Sequence, residues 1–521
     1  MLSFPPSRPV LLVVTALGLL AGARASEARG QEEAPAPRPL AVTPPQEPAL
    51  PSAASFPTAG GKPYPINLPT AMKLGNARGL DIALAARQVQ VAAAQLQGAK
   101  VLWLPNLILG ADYNRHDGPI QFIDGPVFGA SRSSTMIGGA PFAVFALTDA
   151  IFSPLAARQT VRARQAQVQA AANDTLWMVA QAYFNVQQAR GELAGYRDAQ
   201  RLADDLLRRL DKLAPGLTPP LEINRARSLA ARLRQVARQS ENNWRAASAE
   251  LLRVLYLDPT LVVEPVEPPH LHVSLLPLDK SVDDLIPLAL TNRPELASQQ
   301  ALVQAALQQL RQEKMRPLLP SLLLRGWSTP VTGTLAFGYF GGGTNSNLSN
   351  FNMRQDWDIQ ALWTLQNFGL GNRALIRQRS AENQAAHVEF LRVQTRVEAE
   401  VVQAYALAQT AEKRIREAEE ELREAQELVR QNLKALEQTQ RLGEGGPIQL
   451  VARPQEVVAA IQMLQQGYVD YYLSIADYNR AQFQLYRALG QPAQILTERE
   501  GDQPNGAPCS EWAPRRDGDP P

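Results

Sequence analysis

Residues 76–107 read NARGLDIALAARQVQVAAAQLQGAKVLWLPNL, and residues 291–322 read TNRPELASQQALVQAALQQLRQEKMRPLLPSL. Both are Ala/Gln-rich helical patterns, and both close on a Leu-Pro-x-Leu signature, at 104–107 and 319–322. Self-similarity at this scale decides the architecture, so it is read before any short motif. Working outward, Ala150-Ile151-Phe152 precedes a long polar helix from Leu155, and Gln366-Asn367-Phe368 precedes another from Asn372. Farther on, 214–222 (APGLTPPLE) and 442–449 (LGEGGPIQ) each interrupt a helix and restart it. Arg253-Val254-Leu255 and Arg487-Ala488-Leu489 then close the two halves alike. The chain is a duplicated unit of helix, strand pair, long helix, turn and returning helix. The first copy spans 67–258, the second 281–492, and 259–280 connects them.

No proline falls between Leu155 and Leu213 or between Asn372 and Leu442. At 1.5 Å per residue these segments predict rods of roughly 85 to 105 Å, far beyond the usual helix of about 11 residues. In the second rod Ile415, Ala418, Leu422, Ala425, Val429, Leu433 and Leu436 recur at three- and four-residue steps, a coiled-coil seam. The helices alone fit two architectures equally: a curved wall of close-packed helices, or a solvated antiparallel coiled coil without a channel. The strands decide between them.

Leu107, Leu109, Ala111 and Tyr113 alternate with Ile108, Gly110, Asp112 and Asn114. Trp357, Ile359, Ala361, Trp363 and Leu365 alternate with Asp358, Gln360, Leu362, Thr364 and Gln366. A period of two with one apolar face is the pattern of a transmembrane β-strand, which needs about 9 to 11 residues with aromatics near the interfaces. Leu107, Leu109, Tyr113, Trp357, Ile359 and Trp363 are the candidate lipid-facing residues, with Trp327 a further girdle candidate. The Gly-, Ser- and Asn-rich stretches 117–139 and 338–350 read as loops joining each strand pair. An isolated four-stranded sheet leaves two edges whose amides lipid cannot satisfy. If these strands enter a membrane, several copies must share one barrel.

The ends and composition narrow the class. Arg8, the apolar run Val10–Leu20 and Ala23-Arg24-Ala25 predict a secretory signal over 1–25, and no later apolar run reaches about 18 residues. Residues 26–66 read as a Pro-rich flexible arm and 493–521 as a disordered tail. Cys509 is the single cysteine, so neither disulfides nor a lipid-bearing cysteine after the signal is expected. Lys+Arg number 52 against Asp+Glu 50, which leaves no basic footprint for nucleic acid. There is no phosphate-loop motif; Gly341-Gly342-Gly343 lies in a Ser/Asn-rich stretch. His270 and His272 lack neighbouring carboxylates or cysteine, so no metal, cofactor or catalytic residue is assigned and the chain is not expected to be an enzyme. A structural coiled-coil protein of the periplasm, without a channel, is the competing reading from another class.

Four features together resemble the TolC-like outer-membrane factor family over about residues 67–492: the two Leu-Pro-x-Leu strand openings, the strand-to-helix corners at Phe152 and Phe368–Gly371, the two mid-helix turns, and the closing Tyr478-Asn479-Arg480-Ala481 with Leu489-Gly490. Their duplicated order carries the resemblance. It implies a mainly α fold with a β-barrel portion. In a homotrimer, three sets of four strands share a twelve-stranded barrel in the outer membrane, and long helices form a periplasmic tunnel. It further implies a passive exit duct for efflux or type I secretion, working with a periplasmic membrane-fusion adaptor and an inner-membrane pump of RND, ABC or MFS type. By correspondence the periplasmic tip and adaptor contacts are Pro215, Gly216, Leu217, Leu442, Gly443 and Glu444. Family members constrict the pore entrance with acidic residues just after the tip turns. Glu222 occupies such a position in the first repeat, where a carboxylate in a helix's first turn is also favoured by the helix dipole. Gln449 and Ala452 stand there in the second repeat, and Gly445 replaces a basic residue common after the turn, so gating through the family's usual salt bridges is not expected. Pro454 is expected to shift or kink the returning helix.

Overall fold

In the computed structural model the described residues are 62–490 apart from 122, 214–217, 326–336, 346 and 442–447. The signal segment, most of the Pro-rich arm, the tail, Trp327 and the six tip residues lie outside them. The first unit runs β1 (Pro63–Ile66), α1 (Leu68–Arg78), α2 (Leu80–Lys100), β2 (Asn106–Gln121), β3 (Val127–Ala146), α3 (Leu147–Leu213) and α4 (Pro220–Val254). After β4 (Val262–Pro265) the second unit runs α5 (Val282–Asn292), α6 (Pro294–Met315), β5 (Ser321–Arg325), β6 (Phe337–Thr344), β7 (Ser349–Gln355), β8 (Asp358–Leu362), α7 (Leu370–Leu436), β9 (Thr439–Arg441), β10 (Ile448–Leu450) and α8 (Pro454–Ala488).

The two rods α3 and α7 are 67 residues each, about 100 Å of helix. The first begins at Leu147 rather than Leu155: β3 passes straight into it, and Pro154 lies inside the helix near its start, where only early backbone bonds are lost. The second ends at Leu436 rather than Leu442. Residues 439–441 pair antiparallel with 448–450 instead, and α8 starts at Pro454, which occupies its first turn because proline has no N–H to give and a preset φ. Gln449 therefore sits in a strand, opposite Gln440, and not on the returning helix.

The sheet forms one antiparallel meander. β2 pairs β3; β5 and β6 lie end to end along the other side of β3; β8 and β7 follow beyond them. The stretches 117–139 and 338–350, expected to be loops, are mostly strand: β2 and β3 hold register from Asn106↔Phe142 to Gln121↔Val127. Along β3 the register places Arg325 opposite Phe142 and Phe337 opposite Gly139. Among the described residues the sheet ends at β2 on one side and at β7 and β8 on the other.

The helical wall repeats that order. α2 packs on α3, α3 on α6, and α6 on α7. In the half remote from the sheet, α4 packs on α3, α3 on α8, and α8 on α7. Ile415, Ala418, Ala425, Val429, Leu433 and Leu436 of the predicted seam are buried and Leu422 is partly buried; the last four pack with Val457, Ala460, Ile461 and Leu464 of α8, and Ile415 packs with Ile475 and Tyr478. Leu206, Leu210 and Leu233 are fully buried in the same core, each worth about 2 kcal/mol of transfer free energy.

Midway along the rods the connector is clamped to the helices. Pro63–Ile66, placed by sequence in the flexible arm, is a strand parallel to Val262–Pro265. Val262 and Val266 donate to the carbonyls of Lys62 and Ile66, which leaves the prolines of β1 outside the donor role they cannot fill. Tyr183 and Phe184 of α3 pack under this pair, and Trp244 Nε1 donates to Val263 O at 3.0 Å.

Candidate duct surfaces

The sheet divides its faces as the alternation requires. Ala111, Ile137, Tyr339 and Met353 stand in one register row across β2, β3, β6 and β7, and Ile137, Tyr339 and Met353 are exposed. Leu107, Leu109, Tyr113, Trp357, Ile359 and Trp363 are exposed too, Leu109 to 73% and Ile359 to 68%. Large apolar side chains left this open in one subunit form a continuous unpartnered face. Tyr339 stacks on Phe351 at 5.6 Å and Phe337 meets Trp357 edge-on at 4.6 Å, so the aromatics sit in cross-strand pairs. The reverse face holds Asp112, Asn114 and His116, and Arg354 lies 5.2 Å over the Phe340 ring beside buried Met136.

The corner leading into α7 is strained. Asn367 and Phe368 have φ of 47° and 55°, and Gly369 follows at 88°. For a phenylalanine this left-handed backbone is costly, and its ring is wholly exposed. Asn372 Oδ1 accepts from Gln366 N at 2.7 Å and fixes the turn. Phe152, the counterpart chosen in the first unit, lies within α3 instead.

At the opposite end, the described residues bordering the tip are cross-linked by polar side chains. Glu222 sits in the first turn of α4, its N–H donating to Pro219 O at 3.0 Å. Arg225 Nη1 donates to Glu222 Oε1 at 2.8 Å and to Gln455 Oε1 of α8 at 2.9 Å. Glu222 Oε2 is shielded and has no partner in the described structure. Arg209 bonds Asp205 at 2.7 Å and pairs with Glu437. Burial raises the Asp205 carboxyl, but hydrogen bonds from Arg209 and Arg208 outweigh it and hold the group below the usual carboxylate range. Tip linkage thus runs through Arg225–Gln455 and Arg209–Glu437. Gln449 lies on β10.

Above the tip, α3 carries Gly191 and Gly195 under two rings of α8. A Cβ on Gly191 would lie 2.5 Å from Tyr472 and one on Gly195 2.6 Å from Tyr468. The Tyr468 hydroxyl donates to Asp198 at 2.8 Å; burial and that bond push its pKa up to about 12. Sequence reading missed this contact. Its signal was the Gly-x-x-x-Gly spacing inside a proline-free rod, which lets backbones approach closely.

The closing motif of the second unit belongs to the clamp. Asn479, fully buried, accepts from Val273 N and donates to Leu271 O, both at 2.8 Å. Gln482 accepts from Leu275 N and Leu276 N at 3.3 and 3.2 Å. Arg293, 3% exposed, pairs with Glu295 at 3.0 Å and with Glu400 of α7. Arg487 bonds Asp174 at 2.6 Å. His272, exposed beside Tyr478, has its pKa lowered by partial desolvation. Among the described residues no group of three or more His, Cys, Asp or Glu could hold a metal, and no helix is long and apolar enough to cross a membrane, which leaves a β-barrel unaddressed.

Residues 285–438 match the model of the family described as outer membrane efflux protein. No curated protein matches the chain in sequence. A membrane protein from Pseudomonas aeruginosa superposes with a TM-score of 0.67 at 19% identity, over 85% of this chain and 98% of that one. The CmeC outer membrane channel of Campylobacter jejuni gives 0.66 at 16% identity, over 83% and 89%. The outer membrane protein VceC of Vibrio cholerae gives 0.63 at 15%, over 81% and 96%. At such identities the likeness is one of fold, and it extends over both repeats.

Proposed function

We propose, from the match of residues 285–438 to the outer membrane efflux protein model and from the likeness of the fold to outer-membrane channels, that the chain serves as the exit duct of an efflux system, closed as a ring of three copies. The observation that carries this reading is the pair of open edges. Both layers end on the same two sides: β2 and α2 on one, β7, β8 and α7 on the other. A sheet four ribbons wide cannot close on itself, and lipid satisfies no edge amide. A neighbouring copy joined head to tail supplies the missing strand on each side and repeats until the ring closes. Twelve strands from three copies fall within the size range of transmembrane barrels.

The helical edges support the same closure. Leu80, Leu84 and Val91 form an exposed stripe on α2, and Val388 and Leu391 an exposed stripe on α7. Counting from the sheet ends of their helices, Leu84 and Val388 lie about 24 and 27 Å down, level with each other. In the ring the exposed face with Leu107, Leu109, Tyr113, Trp357, Ile359 and Trp363 meets outer-membrane lipid. The rods reach about 100 Å into the periplasm.

Conduction is passive. A pump in the inner membrane, of RND, ABC or MFS type, provides the energy, and a periplasmic adaptor docks at the tip turns around Pro215–Leu217 and Leu442–Glu444. Glu222 and Gln449 flank the pore entrance. Opening requires α7 and α8 to swing from α3 and α4 at the tip, a bistable coiled-coil rearrangement in which Arg225–Gln455 and Arg209–Glu437 must part. Detergent-purified protein, weighed by light scattering and then placed in planar bilayers, tests this directly. A trimer that conducts is expected; a water-soluble monomer without conductance ends the reading.

A further inference from the structure

Ring closure brings α4 of one subunit beside α7 of the next in the tip half, because α4–α3–α8–α7 is the order there and its two ends are free. These two helices carry opposite charge. α4 holds seven arginines against three glutamates, whereas residues 412–427 of α7 hold seven glutamates against four basic residues. Within the subunit most α4 arginines are answered: Arg227 by Asp211, Arg234 by Asp204, Arg245 by Glu241. Arg232 and Arg238 have no ion pair or hydrogen bond in the described structure, nor have Glu417 and Glu420 of α7, while Glu424 meets only its exposed neighbour Arg423 at 3.4 Å. Separated by α3 and α8, the two sets cannot answer each other inside one chain.

Their positions point outward. On α4 the buried seam is Leu229, Leu233 and Ala237; Arg232 and Arg238 fall about 120° to either side of it, bracketing the face turned from α3. On α7 the seam is Ala418, Ala425 and Val429, and Glu417, Glu420 and Glu424 fall about 100–160° from it. Heights agree as well. Arg232 lies twelve residues from Pro220 and Glu424 twelve from Leu436, both about 18 Å above the helix ends; Arg238 and Glu417 both lie about 27 Å above. The Arg225–Gln455 and Arg209–Glu437 contacts set those ends level.

We infer that Arg232 and Arg238 of each subunit pair with Glu417, Glu420 and Glu424 of its neighbour, an ion-pair seam that zips the tip half of the ring. The inference rests on the ring reading and adds what holds that ring where its apolar stripes end. Such a seam is salt-sensitive, unlike the apolar contact of α2 with α7. It also sits where the tip must loosen, so raised ionic strength eases opening at the tip while the barrel half stays joined.

The test uses the full chain with Cys509→Ser, which removes the single cysteine. Arg232→Cys with Glu424→Cys, treated with a short bis-maleimide, is expected to give covalent dimers and trimers. Leu84→Cys with Val388→Cys is the parallel pair for the barrel half. If the barrel-half pair cross-links and the tip-half pair stays monomeric, the ion-pair seam is wrong and the ring stands. If neither pair cross-links and the protein weighs as a monomer, the ring falls and the seam with it. Charge reversal adds a second readout. Arg232→Glu with Arg238→Glu should lower the temperature at which the trimer dissociates, and adding Glu417→Arg with Glu424→Arg should restore it. A quadruple variant no better than the sum of its halves overturns the pairing, and a loss seen only when an adaptor is present assigns the arginines to that partner instead.

Discussion

Tyr468 on α8 donates its hydroxyl to Asp198 on α3 at 2.8 Å, and its ring occupies the space a side chain at Gly195 would need. The contact staples the returning helix of the second repeat to the long rod of the first. Gly195→Ala would place a methyl group 2.6 Å from Tyr468 Cβ. Overpacking of this kind costs about 1–3 kcal/mol, partly offset by alanine's helix preference of about 1 kcal/mol over glycine. The expected net effect is a lower thermal midpoint for the purified oligomer, with the tip half loosened first in hydrogen exchange. A raised midpoint would mean that the rods stand farther apart than described.

The same tyrosine gives a pH dependence with a defined sign. Its folded pKa, about 12, lies above the ordinary tyrosine value of about 10, and Tyr471 is raised to about 12 as well, chiefly by burial. A group whose folded pKa is raised binds its proton more tightly in the native state, so its contribution is complete below the unfolded pKa and is lost as pH rises toward the folded one. Stability should hold up to about pH 10 and decline between about 10 and 12. Tyr468→Phe should flatten part of that decline in thermal scans across the window. An unchanged slope would remove Tyr468 from the account.

What could be read beforehand follows from where side-chain periodicity carries the information. The α7 seam from Ile415 to Leu436 was legible because burial repeats with the helical period. Most of β3 was not: Gly129, Ser131, Ser133 and Gly138 have no apolar alternation, and their strand is held by pairing with β2 throughout and with β6 from Arg132 to Gly139 rather than by a greasy face. At Gly138 the backbone of Gly338, with φ of 151°, comes so close that no Cβ fits, and glycine there marks strand contact instead of a loop. The clamp was half legible, since the Tyr478–Ala481 motif stood out while the partners of Asn479 lie more than two hundred residues away in the connector. Gln449 falls on β10 because Pro454 sets the start of α8 later than the turn glycines suggest.

Arg293 offers a stability test away from the duct. Its side chain is 2% exposed and bridges Glu295 with Glu400 of α7. Removing it takes the partner from carboxylates that are 30% and 34% exposed, so solvent reduces the cost below the about 3–5 kcal/mol of a fully buried pair. Arg293→Ala should therefore lower the denaturation midpoint, while Arg293→Lys should recover only part, since an ammonium cannot span two carboxylates as a guanidinium does. Equal stability of the alanine variant would show that solvent reaches this cluster.

Phe368 tests where the membrane ends. A left-handed backbone costs an L-residue about 1–2 kcal/mol, yet it is kept at a wholly exposed phenylalanine next to Trp363, Leu365 and Leu370, all exposed. A ring held outward at the strand-to-helix corner suits the amphipathic layer where lipid meets water. Phe368→Trp in vesicles should emit at short wavelength and be quenched by lipids brominated near the headgroup. Emission typical of water, unaffected by bromine, would place the corner outside the bilayer.

Glu222 decides whether the tip filters ions. Arg225 holds one of its carboxylate oxygens, the other is shielded, and the side chain is only 12% exposed. In this arrangement the guanidinium offsets most of the field the carboxylate would project, so Glu222→Gln alone should change the reversal potential of the resting duct only slightly toward anions. Arg225→Gln removes the offsetting charge and the link to Gln455 together. It should both raise conductance and shift selectivity toward cations, because an unpaired carboxylate from each subunit would then face the pore. The double variant should keep the higher conductance and lose the cation preference, which separates the latch from the charge. If conductance and selectivity stay constant across all three variants, Glu222 does not line the entrance, and its position is explained by the helix dipole alone.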